Sequence, residues 1–316
     1  MHDMLFRGET APAHWRGCCL SLGNFDGVHV GHLSLLESLA AMSRRKGAKG
    51  VVMTFNPHPA EVLSTKKPHR LLPLDDRVRA ILAHGADGVW VVPFNQEVAR
   101  MSAETFIEKH LLAGLEIQGM VVGPDCRFGA GRKGDGRMLA DYAARNGFEF
   151  QSLAPLILDG ERVSSSLVRE LLIQGQVRRA AMMLGRDYRV KGEVIHGVKM
   201  GRTLGFPTAN LSLFEEVLVP AEGIYVIRLR IGECPECATV REGVVSIGTR
   251  PTFKDYDQLA VEAHLFDFNE SIYGETVTME FLKKVRDQQR FDGVDELKAA
   301  IKNDIRVARD YFRGEV

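Results

Sequence analysis

The stretch Cys18-Cys19-Leu20-Ser21-Leu22-Gly23-Asn24-Phe25-Asp26-Gly27-Val28-His29-Val30-Gly31-His32 decides how the first half of the chain folds. It opens as a short apolar run of strand character, and residues 33–42 beyond it have helical period. A strand therefore passes through a glycine-bounded loop directly into a helix. Glycines let backbone approach a ligand closely. His29 and His32, three residues apart at the helix start, can both point at an anion sitting on the helix dipole. The pattern reads as a phosphate site built without a P-loop lysine. A zinc site on the two histidines would need further ligands, and none is obvious nearby in the sequence.

Outward from this stretch the same alternation continues to about residue 151. The runs VVMTF, GVWVVPF, GMVVG and FEFQSL are strand-like, and residues 77–84, 105–112 and 138–145 between them have helical period. Such alternation predicts a parallel sheet covered on both faces, with ligands at the carboxyl edge of its strands. Residues 164–184 form a helical bridge, after which the texture changes. YRVKGEVI, FPTANL, GIYVIRLRI, GVVSIG, VEAHLF and TVTMEFL are short and separated by Gly or Pro, which predicts a small antiparallel barrel or sandwich. Val294, Leu297, Ile301, Ile305 and Ala308 make a helical stripe expected to pack on it. With a boundary near residues 183–187, the expected domains are 1–184 and 185–316.

Composition excludes several classes. The 316 residues are 45% hydrophobic and 26% charged, which disfavours disorder, a collagen-like repeat or a disulfide scaffold. With 41 basic and 41 acidic side chains the net charge is zero, against the basic excess that non-specific nucleic-acid binding requires. The first residues lack a basic region followed by an apolar stretch, and no apolar run approaches the roughly 20 residues of a bilayer span. Five cysteines, an odd number, fit a reducing compartment. A soluble cytoplasmic protein, with no nucleic-acid or membrane partner, is expected.

Three further clusters lie in the first half. Thr54-Phe55-Asn56-Pro57-His58-Pro59 follows a strand, and its prolines fix an extended turn that either walls a pocket or is only a rigid connection. The loop from Gly123 to Gly136 carries a formal G-x-G-x-x-G at Gly129, Gly131 and Gly134, but five residues separate it from the strand, unlike a dinucleotide fingerprint. Its Arg127, Arg132 and Lys133 are suited to phosphate oxygens. Val163-Ser164-Ser165-Ser166-Leu167-Val168-Arg169 opens a helix, where serines are ordinary caps, yet Arg169 shares a face with Ser165 and the two could converge on one phosphate.

In the second half, glycines alternate with Lys199 and Arg202 between Gly192 and Gly205, as a flexible cover over phosphates or a plain barrel rim would require. Thr208 and Asn210 are two apart in an extended run, and such hard neutral oxygens suit Mg²⁺ held by a nucleotide. Glu262 and His264 share one side of a strand. A carboxylate on the inner side of a small barrel is costly unless used or paired, so Glu262 is the candidate general base. Cys234-Pro235-Glu236-Cys237 is a lone C-x-x-C without a second pair.

Taken in order, GNFDGVHVGH, TFNPHP, GPDCRFGAGRKGD and VSSSLVR resemble the adenylyltransferase module of bifunctional riboflavin kinase/FAD synthetases. GRTLGFPTAN, SIGTRPTF, VEAHLFDF, Ile272-Tyr273-Gly274 and VRDQQRF are similar to their flavokinase module, so the resemblance spans about residues 20–312. It implies an α/β nucleotidyltransferase domain (Rossmann-like, HxGH-type) followed by a small antiparallel β-barrel riboflavin kinase domain with a C-terminal helix. ATP would phosphorylate riboflavin to FMN, and a second ATP would adenylylate FMN to FAD with release of pyrophosphate. His29, His32 and Arg169 would serve adenylyl transfer and Glu262 the kinase, with Mg²⁺ on Thr208 and Asn210. Gly23, Asn24, Phe25, Asp26, Gly31, Asp125, Arg127, Ser164, Ser165, Ser166, Gly197, Gly201, Arg202, Gly205 and Pro207 would bind nucleotide or flavin.

Departures from the family pattern are Cys126 for an aromatic residue, Gln288 for a glutamate and Ser246 for an asparagine, and they bear on flavin affinity more than on reaction type. Two alternatives stand beside this reading. One is a nucleotidyltransferase acting on another phosphorylated acceptor, such as pantetheine phosphate or a sugar alcohol phosphate, and the other is a flavin-binding regulator with impaired catalysis.

Overall fold

The computed structural model describes residues 4–65, 67–197, 204–214, 217–232, 238–250 and 258–315, and its chain divides into two compact units, Met1–Ser165 and Ser166–Val316. In the first unit the strands are β1 (Leu5–Arg7), β2 (Cys19–Leu22), β3 (Gly50–Asn56), β4 (Gly88–Pro93), β5 (Gly119–Val122), β6 (Arg127–Phe128), β7 (Gly134–Asp135), β8 (Glu149–Ser152), β9 (Ile157–Leu158) and β10 (Glu161–Arg162). Its helices are α1 (Val30–Lys46), α2 (Pro59–Leu63), α3 (Leu74–Ala83), α4 (Gln96–Arg100), α5 (Ala103–Phe106) and α6 (Gly136–Asn146).

Six strands form one parallel sheet in the order β1-β4-β3-β2-β5-β8. Its strands are apolar on both sides because both faces are covered. Leu20, Val51 and Met53 join Trp90, Phe106 and Leu139 in one core, while Val52, Val89 and Val121 join Leu36, Leu39 and Ile81 in the other. The chain moves outward on one side of β2 through β3 and β4, then returns to its other side as β5. The loops after β2 and β5 consequently leave from the switch point, where open parallel sheets bind ligands. The helix expected over 105–112 is α5 continuing into a π-helical segment, Ile107–Gly114.

The chain continues through α7 (Ser165–Ile173) and α8 (Val177–Leu184) into β11 (Tyr188–Ile195), β12 (Ala209–Leu213), β13 (Gly223–Ile231), β14 (Thr239–Arg250), β15 (Gln258–Leu265) and β16 (Thr276–Arg286). These strands close as an antiparallel barrel, β11-β12-β15-β14-β13-β16, which decides between the barrel and the sandwich. Tyr188, Tyr225 and Phe281 fill its interior with their rings in contact. On the outer face Ile224, Val226, Val244 and Leu282 pack with Ala308 of the C-terminal helix α9 (Val294–Phe312). Arg286 clamps that helix through two hydrogen bonds to Asp304, 2.9 and 2.8 Å. The apolar stripe of α9 packs at Ile305 and Ala308, whereas its first member, Val294, is 56% exposed.

Candidate active sites

In the first unit, the loop between β2 and α1 is held in a form that few sequences adopt. Phe25, Gly27 and Val28 all have positive φ (51°, 80° and 40°). For the two non-glycine residues this costs on the order of 1–3 kcal/mol each, and it persists only where surroundings over-determine it. Here the side chains of Phe25 and Val28 are fully buried in the core beneath α1. The result is that His29 becomes the N-cap of α1, its Nδ1 accepting from the backbone N–H of His32 at 3.3 Å. A neutral His29 therefore carries its proton on Nε2, a donor at the helix N-terminus. The rings of His29 and His32 stack at 3.7 Å, and Phe25 lies against His32 at 4.9 Å. A Cβ on Gly31 would stand 3.2 Å from the His29 ring, tighter than most such contacts.

Phe25 and Asp26 thus turn their side chains into the protein. The Asp26 carboxylate accepts from the Leu71 backbone N–H, and its carbonyl accepts from the Ser165 hydroxyl at 2.8 Å. Ser164 immediately precedes Ser165, and Ser166 and Arg169 follow on α7 within the second compact unit. The Asn24 carbonyl accepts from the Thr54 hydroxyl (3.1 Å) and from Arg77 (2.9 Å). Arg77 belonged to no motif read in the sequence.

In the Asn56–Pro59 turn, His58 and Pro59 open α2. His58 caps α2 by accepting from Ala60 N–H at 3.1 Å, and Glu61 reaches back to the His58 N–H. Arg70 grips Glu61 with two 2.8 Å bonds and holds its carboxyl below the usual range. A cleft whose lining includes Asp26, Asn56, His58 and Arg77 opens beside this turn. On the glycine-rich loop Arg127 faces Asp135 at 3.5 Å, and Asp125 pairs with Arg162. Gly129 and Gly134 serve close packing, since a Cβ on Gly129 would meet the Ala103 backbone at 2.6 Å. Arg132 and Lys133 are exposed. Burial pushes the Cys126 thiol up to about 12, so it stays protonated at neutral pH.

The second site is a row across the barrel wall. Asn210 on β12 and Ser246 on β14 both stand opposite Glu262 on β15, and opposed residues present their side chains to one face. That face is the outer one, which corrects the expectation that Glu262 points inward. Val261 (3% exposed) and Ala263 (1%) take the core positions, on the side where the buried rings of Tyr188, Tyr225 and Phe281 lie. The Thr208 hydroxyl donates to Glu262 at 3.4 Å. Hydroxyl, amide oxygen and carboxylate together are the donor set a hard cation prefers, so the residues fit Mg²⁺. Gly197 abuts Asn210 so closely that a Cβ there would lie 2.1 Å from the amide. The Pro207 carbonyl accepts from His264 Nδ1 at 2.8 Å, and Gly205 is exposed with φ of 89°.

Two departures from the family pattern prove to be partners. Gln288 Nε2 donates to the Ser246 hydroxyl at 2.9 Å and to the Ile247 carbonyl at 2.8 Å. Their joint departure was the available signal. Gly201 and Arg202, with Lys199, Cys234 and Cys237, lie outside the described residues.

Comparison with known proteins finds matches to both halves of the chain. A profile of the FAD synthetase family matches residues 11–167 and a riboflavin kinase profile matches residues 184–312. The bifunctional riboflavin kinase/FMN adenylyltransferase of Escherichia coli is 39% identical over 312 residues, covering 98% of this chain and 97% of that protein. The protein of the same name in Bacillus subtilis is 37% identical over 298 residues, covering 93% and 92%. A crystal structure of a protein named macrolide-efflux protein from Streptococcus pneumoniae superposes with a TM-score of 0.88 at 30% identity, covering 97% of this chain and 99% of that one. Among the described residues no helix is long and apolar enough to cross a membrane. A nucleotidyltransferase with another acceptor would leave the barrel half without a role, whereas the riboflavin kinase profile accounts for it. With both halves matched in order and nearly the whole length aligned, the chain belongs to the family of bifunctional riboflavin kinase/FMN adenylyltransferases.

Proposed function

We propose that the two reactions of the family divide between residues 1–184, which adenylylate FMN, and residues 185–316, which phosphorylate riboflavin. Supporting the first assignment most directly is the stacked His29/His32 pair at the start of α1, at the switch point of the sheet. An oxygen of the FMN phosphate attacks the α-phosphorus of ATP. The bond to the bridging oxygen breaks, and pyrophosphate leaves. The nucleophile is already anionic, so no base is needed. The Nε2–H of His29, together with His32, Ser164, Ser165, Ser166 and Arg169, stabilises charge growing on the α-phosphate and the leaving group. Asn24, Asp125 and Arg127 contribute to the nucleotide or flavin pocket.

In the barrel, Glu262 accepts the proton of the terminal ribityl hydroxyl as its oxygen attacks the γ-phosphorus of ATP, and ADP leaves. Thr208 and Asn210 would hold Mg²⁺, which when bound neutralises charge on the nucleotide phosphates. Gly197 keeps Asn210 in place, and His264 fixes the Pro207 carbonyl next to Thr208. Gly205 would contribute to binding the nucleotide phosphates, as would Gly201 and Arg202. The use of ATP and the unpaired Cys18, Cys19 and Cys126 fit action in the cytoplasm.

The test is chromatographic. Purified full-length protein with riboflavin, ATP and Mg²⁺ should form FMN and then FAD, and FMN with ATP should form FAD and pyrophosphate. Chelating the metal should stop FMN formation. Riboflavin left unchanged under these conditions would refute the assignment and favour a regulator that only binds flavin.

A further inference from the structure

Arg77 lies on α3, outside every motif that carries the family resemblance, yet it is 5% exposed. We propose that Arg77 is a positioning residue for adenylyl transfer, its guanidinium fixing the separation between the turn that carries His29 and His32 and the turn that carries Asn56 and His58. The proposal rests on the assignment of adenylyl transfer to the first unit.

Strands β2 and β3 are paired as far as Leu22 opposite Met53, and the Gly23 N–H to Met53 carbonyl bond is the next link. Beyond it the two segments separate into their loops. Arg77 bridges them there, one terminal nitrogen donating to the Asn24 carbonyl and the other to the Phe55 carbonyl, both at 2.9 Å. A guanidinium is a rigid planar fork, so the spacing of the two carbonyls is set by covalent geometry. A lysine ammonium, a point donor on a flexible stem, could not set it. Asn24 lies five residues before His29, and Phe55 adjoins Asn56. The side chain also lines the cleft beside Asp26, Asn56 and His58.

Burying a guanidinium is costly, and it persists where fixed acceptors and a nearby carboxylate compensate it. Burial works against the charge of Arg77, and the nearby Asp26 carboxylate works for it. A residue kept only to fill space would not need two charged donors aimed at two carbonyls. Transfer between two bound phosphates does need that alignment, because a misplacement of about 1 Å can cost about a hundredfold in rate.

The experiment uses the full-length chain with Arg77→Met and Arg77→Lys. FMN-to-FAD and riboflavin-to-FMN rates are measured on the same preparations, with KM for FMN and ATP and the thermal midpoint. The expected result is a kcat for FAD formation lowered about 10- to 100-fold in Arg77→Met, with Arg77→Lys between it and wild type. Both KM values should stay within about threefold, as for an interaction felt mainly in the transition state. The kinase rate should be little changed, and any fall in the midpoint should leave the protein folded at the assay temperature. A wild-type kcat in Arg77→Met would overturn the proposal. So would loss of both activities in step with a fallen midpoint, which would make the guanidinium a structural prop. No FAD from the unsubstituted chain would overturn the underlying assignment and the proposal with it.

Discussion

His32 and Glu262 lie in different halves of the chain, and this makes their contributions separable. The cap on α1 runs from the His32 backbone N–H to the His29 ring, so His32→Ala leaves it intact. What it removes is the stacked imidazole. FAD formation from FMN should fall by about 10²–10³, the size of losing one donor to developing charge, while FMN formation persists. Equal loss of both rates would mean that the sites are misassigned. Glu262→Gln should give the opposite pattern. The variant keeps volume and hydrogen bonding to Thr208 but removes the proton acceptor, so riboflavin phosphorylation should drop by about 10²–10⁴. Its neighbours are poor substitutes. His264 has Nδ1 committed to the Pro207 carbonyl, and Asp267 is paired with Arg309, which lowers its carboxyl and its basicity. An unchanged kinase rate would demote Glu262 to a structural residue.

At the scale of elements, legibility followed the strength of local signals. The long apolar runs that became β3 and β4 could be read because both faces of a parallel sheet demand apolar residues. The three residues of β1 carried too little pattern to be seen. On β15 the alternation correctly separated Glu262 and His264 from Val261 and Ala263, and Leu265 shares their buried side. The inward direction was misjudged because chemistry at Glu262 was weighed above the plain burial preference of the apolar triad. The Ser246–Gln288 bond was signalled only by the joint departure of the two residues from the family pattern, because β14 and the segment after β16 meet only in the folded barrel. That bond predicts coupling. Gln288→Glu alone removes the donor to Ser246 and sets a carboxylate beside the Ile247 carbonyl, so kcat/KM for riboflavin should fall about tenfold. Adding Ser246→Asn supplies an amide donor and should recover most of the loss, a coupling of about 0.5–3 kcal/mol in a double-mutant cycle. A double variant no better than the single one would show that the contact is incidental.

At the scale of the molecule, the sequence put the boundary near residues 183–187, while the compact units divide after Ser165, and α7 and α8 account for the difference. Their helical period was readable, but nothing local told which core they serve. Val177, Ala180, Met183 and Leu184 bury one face of α8, and the Ala221 N–H bonds to the Leu172 carbonyl, so the helix pair is fastened to the barrel. Ser165, at the head of α7, bonds instead to Asp26 in the histidine loop. Packing and chemistry therefore favour different cuts. A fragment of residues 1–184 retains every residue assigned to adenylyl transfer, but it exposes the apolar face of α8, and its unfolding midpoint should be lowered. A fragment ending at residue 165 avoids that exposure and loses Ser166 and Arg169. Residues 1–184 should therefore convert FMN and ATP to FAD within about tenfold of the full chain, since the active-site groups are unchanged. Residues 1–165 should bind ATP weakly and turn over at least about a hundredfold more slowly, for want of the Arg169 guanidinium, to which stabilisation of the leaving pyrophosphate is assigned. The measurement is the FMN-to-FAD rate of both fragments, with circular dichroism to establish folding. Equal rates would remove Arg169 from the catalytic set and move the functional boundary to the structural one.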